Sequence, residues 1–292
     1  MNVYIQSVLL GIIEGLTEFL PVSSTAHLRI AEAAMRIPLD DAYWKMYTIV
    51  IQAGAILALL LLYLERIVGF IKSFPRGESG DRTWKNHPIS LTLIAFFFTS
   101  IIALPLHKVS EKHLGSVAVM AWALLIGGVI MWVIDARASR FEPNTLHVEE
   151  MTLGQSIWIG ICQSLSAIFP GTSRSMSTIA AAQMVGLDRP SALEFSFLLS
   201  IPTMMAATAW DLLKSMHPSK AELAAGASVS FAMNSQRWIV LAIGFAISFL
   251  VALGVVEWFL MWVRRHGFTV FAIYRIVLGI LLLALGSRLL GS

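Results

Sequence analysis

Apolar residues run along this chain in blocks of about 20, the length an α-helix needs to cross a hydrocarbon core of roughly 30 Å. Polar residues gather in the stretches between them. Six blocks are long enough to span, near 43–64, 88–107, 117–134, 191–213, 238–263 and 268–290. Two more, 4–35 and 153–186, are apolar but broken midway, by Pro-Val-Ser-Ser-Thr at 21–25 and by Pro-Gly-Thr-Ser-Arg-Ser at 170–175. Each half of a broken stretch is too short to cross. Open backbone at membrane depth is tolerated only inside protein or against a wet cavity, so both stretches are predicted as re-entrant helix hairpins rather than single kinked spans. The expected fold is an all-α polytopic membrane protein, with six transmembrane helices plus two re-entrant hairpins in one domain, 1–292.

Sliding the chain against itself by 149 positions aligns the two broken stretches without a gap. The identities are Gly11/Gly160, Ile12/Ile161, Leu16/Leu165, Pro21/Pro170, Ser24/Ser173, Ile30/Ile179, Ala31/Ala180, Ala33/Ala182 and Met35/Met184. Alanine and isoleucine matches are cheap in a membrane protein, whereas paired prolines with a serine three residues later are not. Each half, 1–150 and 151–292, then holds one hairpin followed by three spans. An odd number of spans turns the second half over, which predicts an inverted-topology repeat.

Charge orients the scheme. Loops 65–87, 135–152 and 264–267 carry Arg66, Lys72, Arg76, Arg82, Lys85, Arg137, Arg140, Arg264 and Arg265, against Lys108, Lys112, Lys214, Lys220 and Arg237 on the other side. The positive-inside rule puts the first set in the cytoplasm. Both termini then lie outside, and the hairpins enter from opposite faces with their broken tips meeting near the midplane. Composition agrees with the class: of 292 residues 57% are hydrophobic and 13% charged, which excludes a soluble enzyme with a single anchor. The net charge of +3 reports orientation and gives no reason to expect a nucleic-acid partner. The single cysteine, Cys162, offers no intramolecular disulfide. The first cationic residue is Arg29, so no cleaved leader is expected.

Chemistry concentrates at the two breaks. Glu14 and Glu18 share a helix face just before Pro21. Two carboxylates in an apolar hairpin call for a neutraliser, and hard oxygen ligands suit a divalent cation, Mg²⁺ or Ca²⁺. After the break come Ser23, Ser24, Thr25 and His27, three hydroxyls and an imidazole that can act as acid, base or phosphoryl acceptor. The second tip offers Gly171, Thr172, Ser173, Arg174, Ser175 and Ser177. Glycine admits close backbone approach, a helix N-terminus favours an anion, and arginine presents a planar fork to phosphate oxygens. Arg174 also suits a counter-ion for Glu14 or Glu18. Arg29, Glu32 and Arg36 are spaced to pair on one face, and Gln52, Glu194 and Arg275 are expected to pack helices or support the site. Tyr43, Trp44, Trp210, Trp238 and Trp262 are expected as interfacial anchors.

The segments EGLTEFLPVSSTAH (14–27) and PGTSRS (170–175) closely resemble the two signature motifs of the undecaprenyl pyrophosphate phosphatases, the bacitracin-resistance family. The resemblance extends to IQAGAI (51–56), EFSFLLSIP (194–202) and FAIYR (271–275). Ala26 and Met176 replace glycines common in those motifs and remove no chemical group. The resemblance implies a hydrolase of the bacterial inner membrane that removes the terminal phosphate of undecaprenyl pyrophosphate. The monophosphate product returns to peptidoglycan and envelope synthesis, and bacitracin resistance follows. It implies six spanning and four re-entrant helices, a site open to the periplasm and a divalent cation. Residue by residue, it makes Glu14 and Glu18 metal-associated, Ser24 and His27 catalytic, and Ser173 and Arg174 phosphate-binding. Ser24, His27 or a water all remain possible nucleophiles, with Ser24 preferred and Glu18 or His27 handling its proton. The competing class is a polyprenyl-phosphate transporter using the same tips for binding. A homodimer is compatible with either.

Overall fold

The computed structural model describes residues 1–38, 41–77, 80, 83–113, 116–138, 140–216 and 233–290; for 107–113, 214–216 and 287–290 it describes the backbone alone. Arg82 and Lys220 of the charge count lie outside the described residues, as do the side chains of Lys108, Lys112 and Lys214.

Proline lacks a backbone donor and disfavours helix in the residue before it. Pro21 and Pro170 accordingly fall in breaks that separate short helices: α1 (Val3–Thr17) from α2 (Ser24–Ala34), and α7 (Leu153–Ile168) from α8 (Arg174–Met184). These helices are 15, 11, 16 and 11 residues long. At about 1.5 Å per residue, none covers a core of roughly 30 Å by itself. Between the pairs come α3 (Ala42–Leu62), the short amphipathic α4 (Leu64–Ser73), α5 (Pro88–His113) and α6 (Val117–Ala138). The chain closes with α9 (Arg189–Met216), α10 (Ser235–His266) and α11 (Thr269–Leu290). Among the described residues six helices are long and apolar enough to cross a membrane: α3, α6, α10, and the parts Pro88–Leu106, Arg189–Leu213 and Thr269–Gly286 of α5, α9 and α11. They coincide with the six predicted spans to within a few residues. The protein is a multi-pass, all-helical membrane protein.

The broken helices pack reciprocally. Helix α1 runs along α10, and α7 runs along α5. Ser7 Oγ donates 2.6 Å to the Val240 carbonyl, and Ser156 Oγ donates 2.5 Å to the Leu91 carbonyl. One turn further, a Cβ at Gly11 would lie 2.8 Å from the Gly244 carbonyl oxygen, and one at Gly160 would press on the Ala95 carbonyl. All four pairings, 7 with 156, 91 with 240, 11 with 160 and 95 with 244, keep the spacing of 149. Small residues let backbones touch where no hydrophobic drive exists between helices. Helices α6 and α11 pack against each other along their length, and α3 fills the space between α9 and α10.

Buried polar side chains close the bundle at one end. Asp135, fully buried at the end of α6, accepts from Arg189 Nε at 2.8 Å, Gln183 Nε2 at 3.2 Å, Phe268 N at 3.1 Å and Thr269 Oγ1 at 3.0 Å. Glu194 holds Arg66 at 2.8 Å, and Arg66 also holds Glu149 at 2.7 Å. Arg29 pairs with Glu32 at 3.3 Å as its spacing predicts, while Arg36 takes a left-handed φ of 55° at the end of α2. Of the aromatic residues expected as anchors, Trp210 and Trp238 are exposed and Tyr43 is buried. Its ring is buried against Trp44 and Tyr47, and its hydroxyl donates 2.9 Å to the Arg237 carbonyl.

Candidate active site

The two breaks meet. Helix α1 gives out at Glu18, the chain crosses Pro21, and α2 starts after Ser23, whose φ is 74°. Helix α8 starts after Ser173, with φ 71°, preceded by Gly171 at φ 95°. The one-residue offset matters. Sequence alignment pairs Ser24 with Ser173, but the left-handed residue that restarts each helix is Ser23 in one and Ser173 in the other. Ser173 spends its hydroxyl capping α8, accepting from Met176 N at 3.3 Å. Ser24, one position into α2, is free of that duty and donates 2.5 Å to Glu18 Oε2.

Glu18 is the hub. Its Oε1 accepts from Arg174 Nη2 at 3.3 Å, with 11% and 6% of the two side chains exposed. Arg174 also lies over the Phe19 ring, 5.9 Å from its centroid. Glu14 stands one turn back on α1, buried, interacting electrostatically with both Glu18 and Arg174. Two buried atoms here have no protein partner, Glu14 Oε2 and Arg174 Nη1. A buried carboxylate oxygen beside a buried guanidinium nitrogen, each with unused capacity, suits a cation on one side and an anion on the other.

These groups border a cavity of about 220 Å³. Glu18, Ser23, Ser24 and Thr25 line it from the first tip, Gly171, Ser173 and Arg174 from the second, and Gln52, Thr99, Gln163, Ser166 and Thr203 from the surrounding helices. Gln52, expected to pack helices or support the site, faces the cavity itself. Thr172 faces the other way, into an apolar groove of about 470 Å³ formed chiefly by Trp122, Ile126 and Ile130 of α6 with Leu165 of α7 and Phe169 just beyond it. Ser175 is buried and donates 2.9 Å to the Leu20 carbonyl, so it ties one tip to the other. Ser177 likewise turns back, donating 3.0 Å to the Ser173 carbonyl.

His27 does not line the cavity. Its Nδ1 is 2.7 Å from the Ser23 carbonyl and its Nε2 2.6 Å from the Tyr274 hydroxyl, with the two rings stacked. A carbonyl only accepts, so Nδ1 carries the hydrogen and neutral Nε2 accepts from the phenol. The imidazole thus braces the left-handed Ser23 from behind.

Arg275 does more than its sequence position suggests. It is fully buried, and its guanidinium donates to the carbonyls of Pro21 at 3.2 Å, Gly171 at 3.2 Å, Thr172 at 2.9 Å and Ala123 at 3.1 Å. One side chain of α11 therefore grips both tips and α6. Gly127 leaves it room, since a Cβ there would come 2.5 Å from Arg275 Nη2. Gln163, which composition alone does not single out, is the other residue missed; under the 149 spacing it stands where Glu14 stands in the first half.

A sequence profile described as "Bacitracin resistance protein BacA" matches residues 7–281. A protein of Koribacter versatilis (strain Ellin345) named "Undecaprenyl-diphosphatase" is 55% identical over 285 residues, covering 97% of this chain and 98% of its own. Proteins of the same name from Rhizobium etli (strain CIAT 652) and Caldanaerobacter subterraneus subsp. tengcongensis are 41% and 38% identical. The first covers 97% of both chains, the second 98% of this one and 97% of its own.

Proposed function

The chain belongs to the bacitracin-resistance protein family, and from that premise we propose that it is an undecaprenyl-diphosphatase, hydrolysing the terminal phosphate of the lipid diphosphate to leave undecaprenyl phosphate. The observation that carries the reading is the junction of the two tips, where Ser24, Glu18 and Arg174 form one hydrogen-bonded line beside a polar cavity. A nucleophile, a base for its proton and a cation for the phosphate are the minimum for phosphoryl transfer. Binding a lipid in order to move it needs none of the first two.

Glu18 accepts the Ser24 hydrogen, which prepares Oγ to attack the terminal phosphorus. As the new bond forms, the bond to the bridging oxygen breaks, and undecaprenyl phosphate leaves with the proton that Glu18 had accepted, which returns Glu18 to the carboxylate. Arg174 offers Nη1 to the phosphate oxygens, where charge spreads during transfer. Water then attacks the phosphorylated serine, breaking its phosphorus–Oγ bond and releasing inorganic phosphate. His27 and Arg275 hold the two breaks in register and do not touch the reacting atoms.

Glu14 and Glu18 fit a divalent cation of the Mg²⁺ or Ca²⁺ type. Glu14 Oε2 is buried without a partner, and a Mg²⁺ ion is commonly held by one or two carboxylates with substrate phosphate oxygens. Such an ion, when bound, offsets repulsion between the carboxylates and the two phosphates. The apolar groove beside Thr172 takes the start of the isoprenoid, because Gly171 and Ser173 on either side line the polar cavity.

The membrane is the bacterial inner membrane, with the site open to the periplasm and the two halves related as an inverted repeat. Support for the repeat is the reciprocal packing at a spacing of 149, and support for the orientation is the excess of loop cations on one side. The test is phosphate release from a polyprenyl diphosphate by the detergent-purified protein, with and without EDTA, beside Arg174→Ala. Release that EDTA and the substitution each abolish is expected. A folded, metal-supplied protein that releases none overturns the reading, and full activity in Arg174→Ala overturns the phosphate assignment.

A further inference from the structure

Gln163 is almost fully buried and lines the cavity with Glu18, Ser24 and Arg174. Its amide nitrogen donates to Thr99 Oγ1 and Thr203 Oγ1, each at 3.0 Å. Neither hydroxyl is able to donate in return. Thr99 gives its hydrogen to the carbonyls of Ala95 and Gly160, at 2.9 and 2.8 Å, and Thr203 gives its own to the Leu199 carbonyl at 2.8 Å. A hydroxyl has one hydrogen, so both threonines are acceptors towards Gln163, and the amide is locked with its nitrogen facing them. The carbonyl oxygen Oε1 is held on the opposite side, buried and without a partner. Leaving a buried acceptor unmatched is costly, so the position calls for a donor brought by the reaction.

Phosphate oxygens and carboxylates bring acceptors, and Arg174 already faces Glu18. Hydrolysis, however, requires a water with two hydrogens to place. The geometry points to Gln163 as the residue that holds the attacking water through one hydrogen while the other faces Glu18. A neutral amide oxygen orients an O–H without taking its proton, which a carboxylate at the same place would not do. That is the division between Glu14 in one half and Gln163 at the corresponding place in the other. In the step, the water oxygen bonds to phosphorus as the bond from phosphorus to Ser24 Oγ breaks. The proton facing Glu18 passes to that carboxylate and on to the serine oxygen, and the hydrogen on Gln163 leaves with the phosphate. This inference rests on the hydrolase reading above.

Methanol tests it, because methanol has one O–H and water has two. The full-length protein in detergent, supplied with Mg²⁺ and a polyprenyl diphosphate, is run in water–methanol mixtures, and phosphate and methyl phosphate are measured. The wild type is expected to favour water. In Gln163→Met, kcat falls about tenfold, KM stays within about twofold, and the ratio of methyl phosphate to phosphate rises severalfold. The ratio does not depend on how much protein is folded, so it stays readable if the variant is unstable. Thr99→Val with Thr203→Val unlocks the amide and moves the ratio the same way. An unchanged ratio in Gln163→Met while the wild type releases phosphate overturns this inference alone. So does a KM rise confined to pH below the substrate's second phosphate ionisation, which assigns the acceptor to a protonated phosphate oxygen instead. A wild type that forms no phosphate overturns it together with the hydrolase reading.

Discussion

Replacing Glu18 by glutamine keeps the shape of the side chain and removes its charge. In the folded protein that charge faces Arg174 at 3.3 Å, with both side chains nearly out of solvent. Opposite unit charges at 3.3 Å attract by about 5 kcal/mol at an effective dielectric of about 20. Removing one partner of a buried pair costs about 3–5 kcal/mol, because the survivor stays desolvated, and the lower end applies here because Glu14 still offsets part of the Arg174 charge. Taking about 3 kcal/mol, the melting temperature should fall by roughly 6–12 °C for a chain of this size. Phosphate release should fall by about 10²–10⁴-fold, the usual contribution of a positioned base. The two effects have separate causes, so a second substitution separates them. Adding Arg174→Leu removes the stranded cation and should restore most of the lost stability while restoring no activity. Thermal unfolding and phosphate release measured on both variants decide the matter. The reasoning fails if Glu18→Gln melts within about 1 kcal/mol of wild type, if the double variant is less stable than the single, or if the single variant turns over normally.

Arg275→Met leaves four carbonyls of the two tips and α6 without their donor, so turnover should drop by about 10²-fold or more through misplacement alone, and a variant with wild-type kcat would remove the strap from the mechanism. Gly11→Ala and Gly160→Ala each force a methyl against backbone of the opposite half and should each destabilise by about 1–3 kcal/mol in thermal unfolding; a harmless Gly160→Ala would contradict the close approach to Ala95. Tyr274→Phe removes only the hydroxyl that His27 accepts from, and should lower turnover less than about tenfold, whereas Ser24→Ala should lower it by at least about 10²-fold. Equal losses would bring His27 into the reaction.

The spans were legible because crossing a bilayer demands an unbroken run of apolar residues, and Ala42–Leu62 and Val117–Ala138 advertise that in composition alone. The breaks were legible because Pro21 and Pro170 interrupt such runs next to hydroxyls and charge. Glu18, Ser24 and Arg174 could be named before any geometry, since acids and arginines at membrane depth are rarely idle. Arg275 was visible as a charge but not as a strap. Its partners are main-chain carbonyls, which every residue has, so no side-chain pattern betrays them. Gln163 was hidden because a glutamine in an apolar helix looks like packing glue, and what distinguishes it is the prior commitment of two threonine hydroxyls contributed by other helices. His27 was legible as a titratable group beside the first break, while the partners of its imidazole were not. The left-handed turn at Ser23 rotates the start of α2, and the imidazole finds the Ser23 carbonyl and Tyr274 behind it.

The crossed packing of the halves has a consequence for how the protein is made. The bond from Ser7 to the Val240 carbonyl joins residues 233 apart, and the glycine contacts that seat α1 lie just beyond it. At about 5–20 residues per second, roughly 12 to 47 seconds of synthesis separate the first helix from its partner. Glu14 and Glu18 lack Arg174 for most of that interval and a packed neighbour on α10 for all of it. Helix α7 has no such wait, because α5 precedes it along the chain. Assembly therefore closes late around the first tip: the earliest helix waits for α10, and the Arg275 strap arrives only with α11.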